Sequence, residues 1–465
     1  MSSTVTVESL KQTLARFAAT AGILSFGLYP TAAAQSQSPV PDSHAATLFE
    51  NVRIFDGKSA TLSVPSHVLV RGNVIERISA DPIAIDANAE VQNIAAGGRV
   101  LMPGLSDMHW HAMLVRPTPA MLLSSDIGYS TLLAGVEATA TLMRGFTTVR
   151  DMGGPTFSLK RAIDEGLLPG PRIYPSGAVI TVTSGHGDFR QLSDLPRTIG
   201  GTLTRIEQLG GSIIADSPDE VRMRVREQLM QGASQIKLTA GGGVASPFSP
   251  LDVSTFTEAE LRAAVDAAEN WGTYVCTHAY TPIAIQRSIA AGVKCIEHAH
   301  LMDEATARLM AEKGIWLSTQ PFLDLSGASA LGPAEQAKMG QVVAGTDAVY
   351  ALAKKYKIKT AFGTDVLFSK ALAERQGATL AALIRWYTPA EVLIMATSTN
   401  AELLGLSGLR NPYPGKLGVV EEGALADLLL VEGNPLENLD LVADPDRSFL
   451  VIMKDGTVYK NTLPK

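Results

Sequence analysis

LMPGLSDMHWH, residues 101–111, is an apolar run that ends in two histidines separated by one residue. The run predicts a buried strand, and alternate residues of a strand face the same way, so His109 and His111 project to one side. Two neutral imidazoles that converge from one strand end make half of a first-row metal site, for which zinc is the default ion. Since a His-x-His pair also occurs by chance on surfaces, the rest of the chain has to supply the missing ligands.

The composition is that of an ordinary globular protein with one large domain and a smaller companion. The chain has 465 residues, of which 46% are hydrophobic and 18% charged. A formal net charge of −7 without a basic run argues against nucleic acid as a partner. The two cysteines, Cys276 and Cys295, lie in apolar runs, so we interpret them as buried strand residues and expect no disulfide framework.

Residues 1–34 are typical of a secretory signal peptide. Lys11 and Arg16 precede an apolar run, and small residues follow it at 31–34. A flexible or amphipathic N-terminal arm is the alternative. Residues 35–46, rich in Ser, Pro and Gln, are predicted to be a linker. We therefore expect a periplasmic or secreted protein, or a cytoplasmic one if the segment is not cleaved. Elsewhere no run approaches the roughly 20 apolar residues that a membrane span needs.

Short alternating strands occur near both ends, in residues 47–99 and 412–465. Asp56-Gly57 and Gly72-Asn73 are typical turn signals in the first of these segments. We predict one small composite β-sandwich domain built from both termini, with residues 100–411 inserted into it.

The inserted segment alternates apolar runs with amphipathic helical stretches, which favours an α/β fold with a parallel sheet, here a (β/α)8 TIM barrel. Helices are predicted at 218–232, 257–271, 281–291 and 303–313. Eight candidate strands fit a closed barrel: 100–105, 147–149, 172–178, 235–238, 274–277, 294–297, 316–319 and 360–363. Catalytic residues of such barrels lie at the C-terminal ends of the strands.

Six of the eight histidines fall at or just after the end of a candidate strand, a placement that a random scatter would not give. They are His109, His111, His186, His278, His298 and His300. Four of them at the ends of three strands, together with Lys237 and Asp365 on two others, predict a metal site. A single histidine at a strand end is more often a hydrogen-bonded structural residue.

Lys237 lies within the apolar strand Gln235-Ile236-Lys237-Leu238-Thr239. Burying a charged ammonium group costs several kcal/mol, which is about the penalty for burying any ion in a protein interior. A neutral lysine beside a metal pair can react with carbon dioxide to give a carbamate, whose two oxygens can bridge two metals. The alternative is a lysine that reaches past the strand end to a carboxylate.

Asp365 closes the last candidate strand. A carboxylate at that place can bind a metal and can also take the proton of a water that the metal has made acidic. The alternative role is a helix N-cap. Because histidines occur at neighbouring strand ends, we favour the role of general base for Asp365.

These residues resemble the binuclear amidohydrolase superfamily, and the resemblance also covers Met102-Pro103-Gly104-Leu105 and Gly241-Gly242-Gly243. Ser184 to Asp188 and Glu297 to His300 are similar to the branch that contains ochratoxinase, bacterial Xaa-Pro dipeptidases and related carboxypeptidases. The resemblance implies two divalent metal ions, with zinc expected, and carboxylated Lys237 between them. It implies these ligands: His109, His111 and Asp365 for one ion, His278 and His298 for the other.

Three positions depart from the pattern of the relatives, and they bear on specificity. Tyr280 stands where such sequences can carry a second histidine, His300 where a small residue is common, and Gln320 begins an unusual Gln-Pro-Phe after the seventh strand. We expect His186, Tyr280 and His300 to bind substrate, through its carbonyl oxygen or a carboxylate. Packing is the alternative for each of the three.

The function that the resemblance implies is amide hydrolysis that releases a C-terminal amino acid from N-acyl amino acids or dipeptides, ochratoxin A among them. The partners are then a small-molecule substrate and further copies of the chain in a homo-oligomer. Apolar loop residues would suit a bulky acyl group, with packing in the barrel as the alternative for each: Trp110, Met113, Leu114, Phe248 and Phe322. Alternatives are an imidazolonepropionase-like hydrolase of cyclic amides or lactones and, more distantly, a non-catalytic binding protein on the same scaffold.

Overall fold

The computed structural model describes residues 46–85, 90–196, 198, 200–329 and 331–464. These residues belong to one compact unit, Ser38–Lys465. The predicted signal peptide and nearly all of the predicted linker lie outside the described residues. Within the described part, no helix is both long enough and apolar enough to cross a membrane.

A mixed eight-stranded sheet is built from both ends of the described chain. Its order is β18-β17-β16-β5-β1-β2-β3, with β4 paired to β1. The strand β16 runs antiparallel to β5, and β5 runs parallel to β1, so the two chain ends interleave in one sheet. The bounds are β1 Ala46–Ile54, β2 Ser66–Arg71, β3 Val74–Ser79, β4 Val91–Ala95, β5 Val100–Pro103, β16 Leu428–Val431, β17 Phe449–Lys454 and β18 Thr457–Asn461.

The middle of the chain forms two parallel sheets, which confirms the mixed α/β class with parallel strands. One has the order β6-β7-β8 and the other β10-β9-β11-β12-β13-β14-β15. Nearly every residue of these strands is buried, as expected for parallel strands covered on both faces. The bounds are β6 Leu105–Trp110, β7 Phe146–Asp151, β8 Arg172–Pro175, β9 Val179–Thr181, β10 Ser212–Ile214, β11 Ile236–Thr239, β12 Val275–Ala279, β13 Cys295–His298, β14 Trp316–Thr319 and β15 Thr360–Phe362.

Capping residues mark the beginning and the end of helices between these strands. The Ser217 hydroxyl accepts the Glu220 N–H at the start of α5, and Gly232, at φ 103°, ends it in the left-handed region. All four predicted helices are confirmed. The helices are α1 Pro119–Ser124, α2 Ile127–Met143, α3 Phe157–Asp164, α4 Arg205–Gln208, α5 Pro218–Gln231, α6 Glu258–Asn270, α7 Pro282–Ala290, α8 Glu304–Lys313, α9 Pro333–Tyr356, α10 Lys370–Glu374, α11 Gln376–Ala381, α12 Pro389–Ile394, α13 Asn400–Gly405 and α14 Pro445–Ser448.

The strand predicted at 100–105 is wrong as one element, because the chain changes sheets at Gly104. Residues Val100–Pro103 pair with β16, whereas the parallel strand begins at Leu105. Gly104 N donates to Asp427 O at 2.8 Å, and a Cβ on Gly104 would come within 2.1 Å of the Thr147 side chain. The apolar pattern runs through the change of sheet, so hydrophobicity alone could not locate it. The strand predicted at 172–178 ends earlier, at Pro175, and a separate strand, β9, begins at Val179.

Backbone hydrogen bonds connect the two parallel sheets at both sides. Asp365 N, just after β15, donates to His109 O on β6 at 2.8 Å. Ser234 N, just before β11, donates to Pro175 O at the end of β8 at 2.7 Å. The first bond brings the C-terminal ends of β6 and β15 together, and these ends carry the predicted metal ligands.

Gly363 permits this approach of β15 to β6, so we predict that Gly363→Ala is destabilising. A Cβ at Gly363 would lie 2.6 Å from both N and Cβ of His109. Backbone cannot move aside as a flexible side chain can, and we expect a loss of about 1–3 kcal/mol in the free energy of unfolding. Urea titration of the purified variant measures it.

The matched control is Gly340→Ala on α9, where an added Cβ meets nothing within 4 Å. A glycine replaced by alanine within a helix gains stability, up to about 1 kcal/mol. If both variants unfolded at the same urea concentration as the unmodified chain, the close contact between β15 and β6 would be contradicted.

Candidate metal centre

The predicted ligands converge at the C-terminal ends of the parallel strands. The ligand atoms of His109, His298 and Asp365 all lie within 4.8 Å of one another. Asp365 Oδ1 is 3.4 Å from His109 Nε2 and 3.3 Å from His111 Nε2. One carboxylate therefore faces both histidines of the His-x-His pair.

Lys237 and His278 complete the cluster. Lys237 Nζ is 3.3 Å from His109 Nε2, and the His278 and His298 rings are 4.4 Å apart between centroids. The six predicted ligands all contribute to the wall of one cavity of about 640 Å³. The structure thus brings the whole predicted ligand set together around a single space.

The two histidines of the pair each have one ring nitrogen occupied. His109 Nδ1 is 2.9 Å from Glu297 Oε2, and His111 Nδ1 is 3.1 Å from Gly153 O. Both partners accept hydrogen bonds, so each Nδ1 carries the proton. The Nε2 atoms, with their lone pairs, are left to face Asp365.

The other two histidines are held in the same way but through different nitrogens. His278 Nε2 donates to Gly242 O at 2.8 Å, which leaves its Nδ1 free for the cluster. His298 Nδ1 is 2.7 Å from Gln320 Oε1, which leaves its Nε2 free. A ligating histidine whose other nitrogen is hydrogen-bonded has a fixed tautomer and ring orientation, as metal sites require.

Burial favours the neutral form of three of these imidazoles. It lowers the pKa of His109, His278 and His298 well below the ordinary histidine value. Neutral imidazole is the form that binds a metal. The donor set of imidazoles, one carboxylate and one lysine therefore fits divalent metal ions.

Two of the ligands lie in strained backbone. His298 has φ 78° and Asp365 has φ 52°, both in the left-handed region that few residues other than glycine adopt. Such conformations cost about 1–3 kcal/mol each and cluster at functional sites. Here they turn the two side chains inward at the points where β13 and β15 end.

Behind the cluster lies a fully buried ion pair that the sequence analysis missed. Arg150 Nη2 donates to Glu297 Oε1 at 2.7 Å and to Oε2 at 2.9 Å, and Arg150 Nε donates to Met108 O at 2.6 Å. The available signal was the presence of opposite charges in two apolar strands, Thr-Thr-Val-Arg-Asp and Cys-Ile-Glu-His. Charges in such strands are expected to be paired.

Asp107, in the stretch that ends at the histidine pair, also supports the site. Its Oδ2 accepts the Thr364 hydroxyl at 2.6 Å and Gln376 Nε2 at 3.0 Å, while its Oδ1 accepts His109 N at 3.0 Å. Burial raises the pKa of Asp107 to about 6, against the effect of these hydrogen bonds. Asp107 therefore positions the chain on both sides of the contact between β6 and the residues after β15.

Of the predicted substrate-binding residues, His186 and Tyr280 face open space beside the cluster. His186 lines the large cavity and a neighbouring one of about 220 Å³, and its Nδ1 is 2.9 Å from Ser246 Oγ. Tyr280 lines the smaller cavity, with its ring centroid 4.9 Å from that of His278. Burial raises the pKa of Tyr280, so its hydroxyl remains a hydrogen-bond donor.

His300 lies in a different environment. Its Nε2 donates to Gln320 O at 2.9 Å, and its ring stacks on Phe322 with centroids 5.2 Å apart. His300 is not among the described residues that line either cavity. This position favours the packing alternative over substrate binding.

The cavity walls are largely apolar. Leu114 and Phe248 line the large cavity and Phe322 the smaller one, as expected. Trp110 and Met113 instead pack within a buried hydrophobic cluster, which is the packing alternative for these two residues. Other apolar residues of the large cavity are Leu122, Leu123, Phe189, Leu192, Ile206 and Phe368.

Arg190 adds a cation to the wall of the large cavity, which the sequence analysis also missed. Its Nε and Nη2 pair with the Asp188 carboxylate at 2.8 and 2.6 Å. Its Nη1 has no hydrogen-bond partner among the described residues. The guanidinium thus places a positive charge in the wall of the cavity that the six predicted ligands also line.

Comparisons with known proteins agree with this geometry. The model of the amidohydrolase family matches residues 100–460. Ochratoxinase from Aspergillus niger is 30% identical over 389 residues, which cover 78% of this chain and 76% of ochratoxinase. A crystal structure of an amidohydrolase superposes with a TM-score of 0.82 at 36% identity, and that of a prolidase complexed with N-methylphosphonate-L-proline with 0.82 at 32%. Each match covers 90% of this chain and 100% of the other.

Proposed function

Because the chain belongs to the amidohydrolase family, and so is a hydrolase that acts on amide bonds, we propose that it releases the C-terminal amino acid from N-acyl amino acids or dipeptides. The observation that carries this proposal is the convergence of six metal-binding side chains on one cavity with apolar walls. The cavity has room for a bulky acyl group next to the cluster.

The fold that goes with this function is a closed (β/α)8 barrel. The hydrogen bonds from Asp365 N to His109 O and from Ser234 N to Pro175 O support closure of the two parallel sheets into one barrel. The interleaved strands from both chain ends support a small composite β-domain beside it. Because β5 at Val100–Pro103 pairs within the sheet of that domain, the predicted boundary at residue 100 moves to Gly104, which gives 47–103 with 412–465 for that domain and 105–411 for the barrel.

Amidohydrolases generally use divalent metals, and the side chains at this site fit two of them. His109, His111 and Asp365 would hold one ion and His278 and His298 the other, with Lys237 between the two. Bound divalent ions supply Lewis acidity toward the scissile carbonyl and toward water. Zinc suits a set rich in imidazole nitrogen.

We place a carbamate on Lys237. The side chain is 3% exposed, and its Nζ forms no ion pair with the carboxylates of the described part of the chain. The neutral amine would add to carbon dioxide and lose one proton, and the carbamate would offer two oxygens as ligands for divalent ions. Protein prepared with ¹³C-bicarbonate should show a carbamate carbon resonance that Lys237→Met abolishes. Identical spectra of the unmodified chain and of Lys237→Met would show that Lys237 carries no carbamate.

Asp365 has the position of the general base. It faces the free nitrogens of His109 and His111 and lines both cavities, so it reaches water and substrate alike. Asp365 would take the proton of the attacking water and pass it to the leaving nitrogen. Tyr280 and His186 would donate hydrogen bonds to the carbonyl oxygen.

The substrate class follows from the cavity and from the relatives. The ochratoxinase and prolidase relatives are named for substrates in which an acyl group is joined to an amino acid. A free carboxylate on that amino acid needs a cation, and Arg190 on the cavity wall would supply its positive charge. The apolar residues of the same wall suit an aromatic or branched acyl group.

The test is amino-acid release from a panel of N-acyl amino acids and dipeptides that includes ochratoxin A, with zinc-loaded protein and bicarbonate. We expect release that stops when a chelator removes the metal and returns when zinc is restored. Esterified substrates, which lack the free carboxylate, should be poor. The proposal would be contradicted if no panel substrate released an amino acid while cyclic amides or lactones were hydrolysed.

Asp365→Asn should leave a folded protein with hydrolysis reduced by about 10²–10⁴-fold, the usual contribution of a positioned base. The rate constant on the best panel substrate is the measurement, and thermal unfolding monitors the fold. Asp266→Asn, on the exposed face of α6, is the control that removes a carboxylate elsewhere. Near-normal turnover by Asp365→Asn would remove Asp365 from the role of base.

A further inference from the structure

The four histidines of the cluster are held by hydrogen-bond acceptors of three kinds. His111 and His278 donate to backbone carbonyls, Gly153 O and Gly242 O. His298 and His109 instead use side chains from the barrel interior, and those two side chains differ in charge. The difference separates the two proposed metal positions, because His109 serves one and His298 the other.

The acceptor for His109 is an anion. Glu297 Oε2 lies 2.9 Å from His109 Nδ1, and the two side chains are 0% and 1% exposed. A hydrogen bond to a charged acceptor is roughly twice as strong as a neutral one, and a low-dielectric interior strengthens it further. The carboxylate therefore fixes the proton on Nδ1 and makes Nε2 a better electron donor toward a metal.

Arg150 prevents Glu297 from turning away. Both carboxylate oxygens accept from Arg150 Nη2, and Cys295 Sγ lies 3.2 Å from Oε1. Arg150 Nε also holds Met108 O, next to His109 in the chain. The imidazole ring and its backbone are thus tied to one rigid group.

The acceptor for His298 is a neutral amide. Gln320 Oε1 lies 2.7 Å from His298 Nδ1. Gln320 Nε2 makes only long contacts, 3.5 Å to His109 Nδ1 and 3.5 Å to Ser318 O. An amide polarises an imidazole less than a carboxylate does, so His298 is the weaker donor of the two.

We infer that Glu297, held by Arg150, is a positioning residue that makes the metal position of His109 and His111 bind its ion more tightly than the position of His278 and His298. At the position of His278 and His298, the neutral amide of Gln320 accepts the hydrogen bond from His298 and polarises that ring less. The inference rests on the two-ion centre of the proposed function, but it is independent of the substrate. It predicts that a chelator removes the two ions in two separate steps.

The experiment is a competition for zinc between the purified protein and a chromophoric chelator, without substrate. Wild type should release its ions in two resolved steps. Glu297→Gln should weaken the tighter step by about 10–100-fold, as loss of an outer partner does at metal sites, and leave the weaker step in place. Gln320→Glu, the matched reverse change, should tighten the weaker step.

A merely structural role for Glu297 gives a different pattern. Lowered thermal stability of Glu297→Gln with both release steps unchanged would overturn the inference, and so would simultaneous release of both ions by wild type. If Glu297→Gln does not fold, Glu297→Asp keeps the charge beside Arg150 but withdraws it from His109. That variant should weaken the tighter step alone, and an unchanged tighter step would count against the inference.

A second readout requires neither metal nor substrate. The His109 Nδ1–H that donates to Glu297 should give a strongly downfield proton resonance in metal-free protein, absent from Glu297→Gln and retained in Gln320→Glu. Persistence of the resonance in Glu297→Gln would overturn the assignment. If wild type bound no metal, the proposed two-ion centre would be overturned. If wild type bound two ions with equal affinity, only this inference would be overturned.

Discussion

Four imidazoles and a lysine can share one buried cluster only if each ring keeps its proton on the side away from the centre. The structure meets this constraint with Glu297, Gln320 and two backbone carbonyls, each of which accepts from one ring nitrogen. Burial lowers the pKa of His109, His278 and His298 and so keeps these three rings neutral. Three of the rings lie on β6, β12 and β13, and His298 lies in the left-handed region of backbone conformation.

The cluster itself could be predicted from the sequence, because parallel strands are short apolar runs and their C-terminal ends are easily recognised. Histidines at such ends, a lysine inside one run and Asp365 after another predict the ligand set from the sequence. The resemblance to amidohydrolases then assigns each predicted ligand to one of two ions. Helices with clear caps, such as the one from Pro218 to Gln231, were also predictable because their end signals are local.

The features that escaped prediction depend on contacts between distant segments. Gly104 separates two strands that form one apolar run in the sequence, and the break is visible only in the pairing of each strand with a distant segment, β16 on one side and β7 on the other. Arg150 and Glu297 are 147 residues apart, so neither strand alone shows that they pair. His300 has the same strand-end signal as the ligands, yet its ring faces Phe322, since a side chain's direction after a strand end is set by the local turn.

The central claim is that this arrangement holds two divalent ions with a defined nitrogen from each ring. Diffraction from zinc-loaded crystals, with anomalous data at the zinc edge, tests it most directly. The account predicts two anomalous peaks per chain in the cavity, with His278 bound through Nδ1 and His109, His111 and His298 bound through Nε2. A single peak, or ligation through the nitrogens that Glu297, Gly153, Gly242 and Gln320 now occupy, would contradict it.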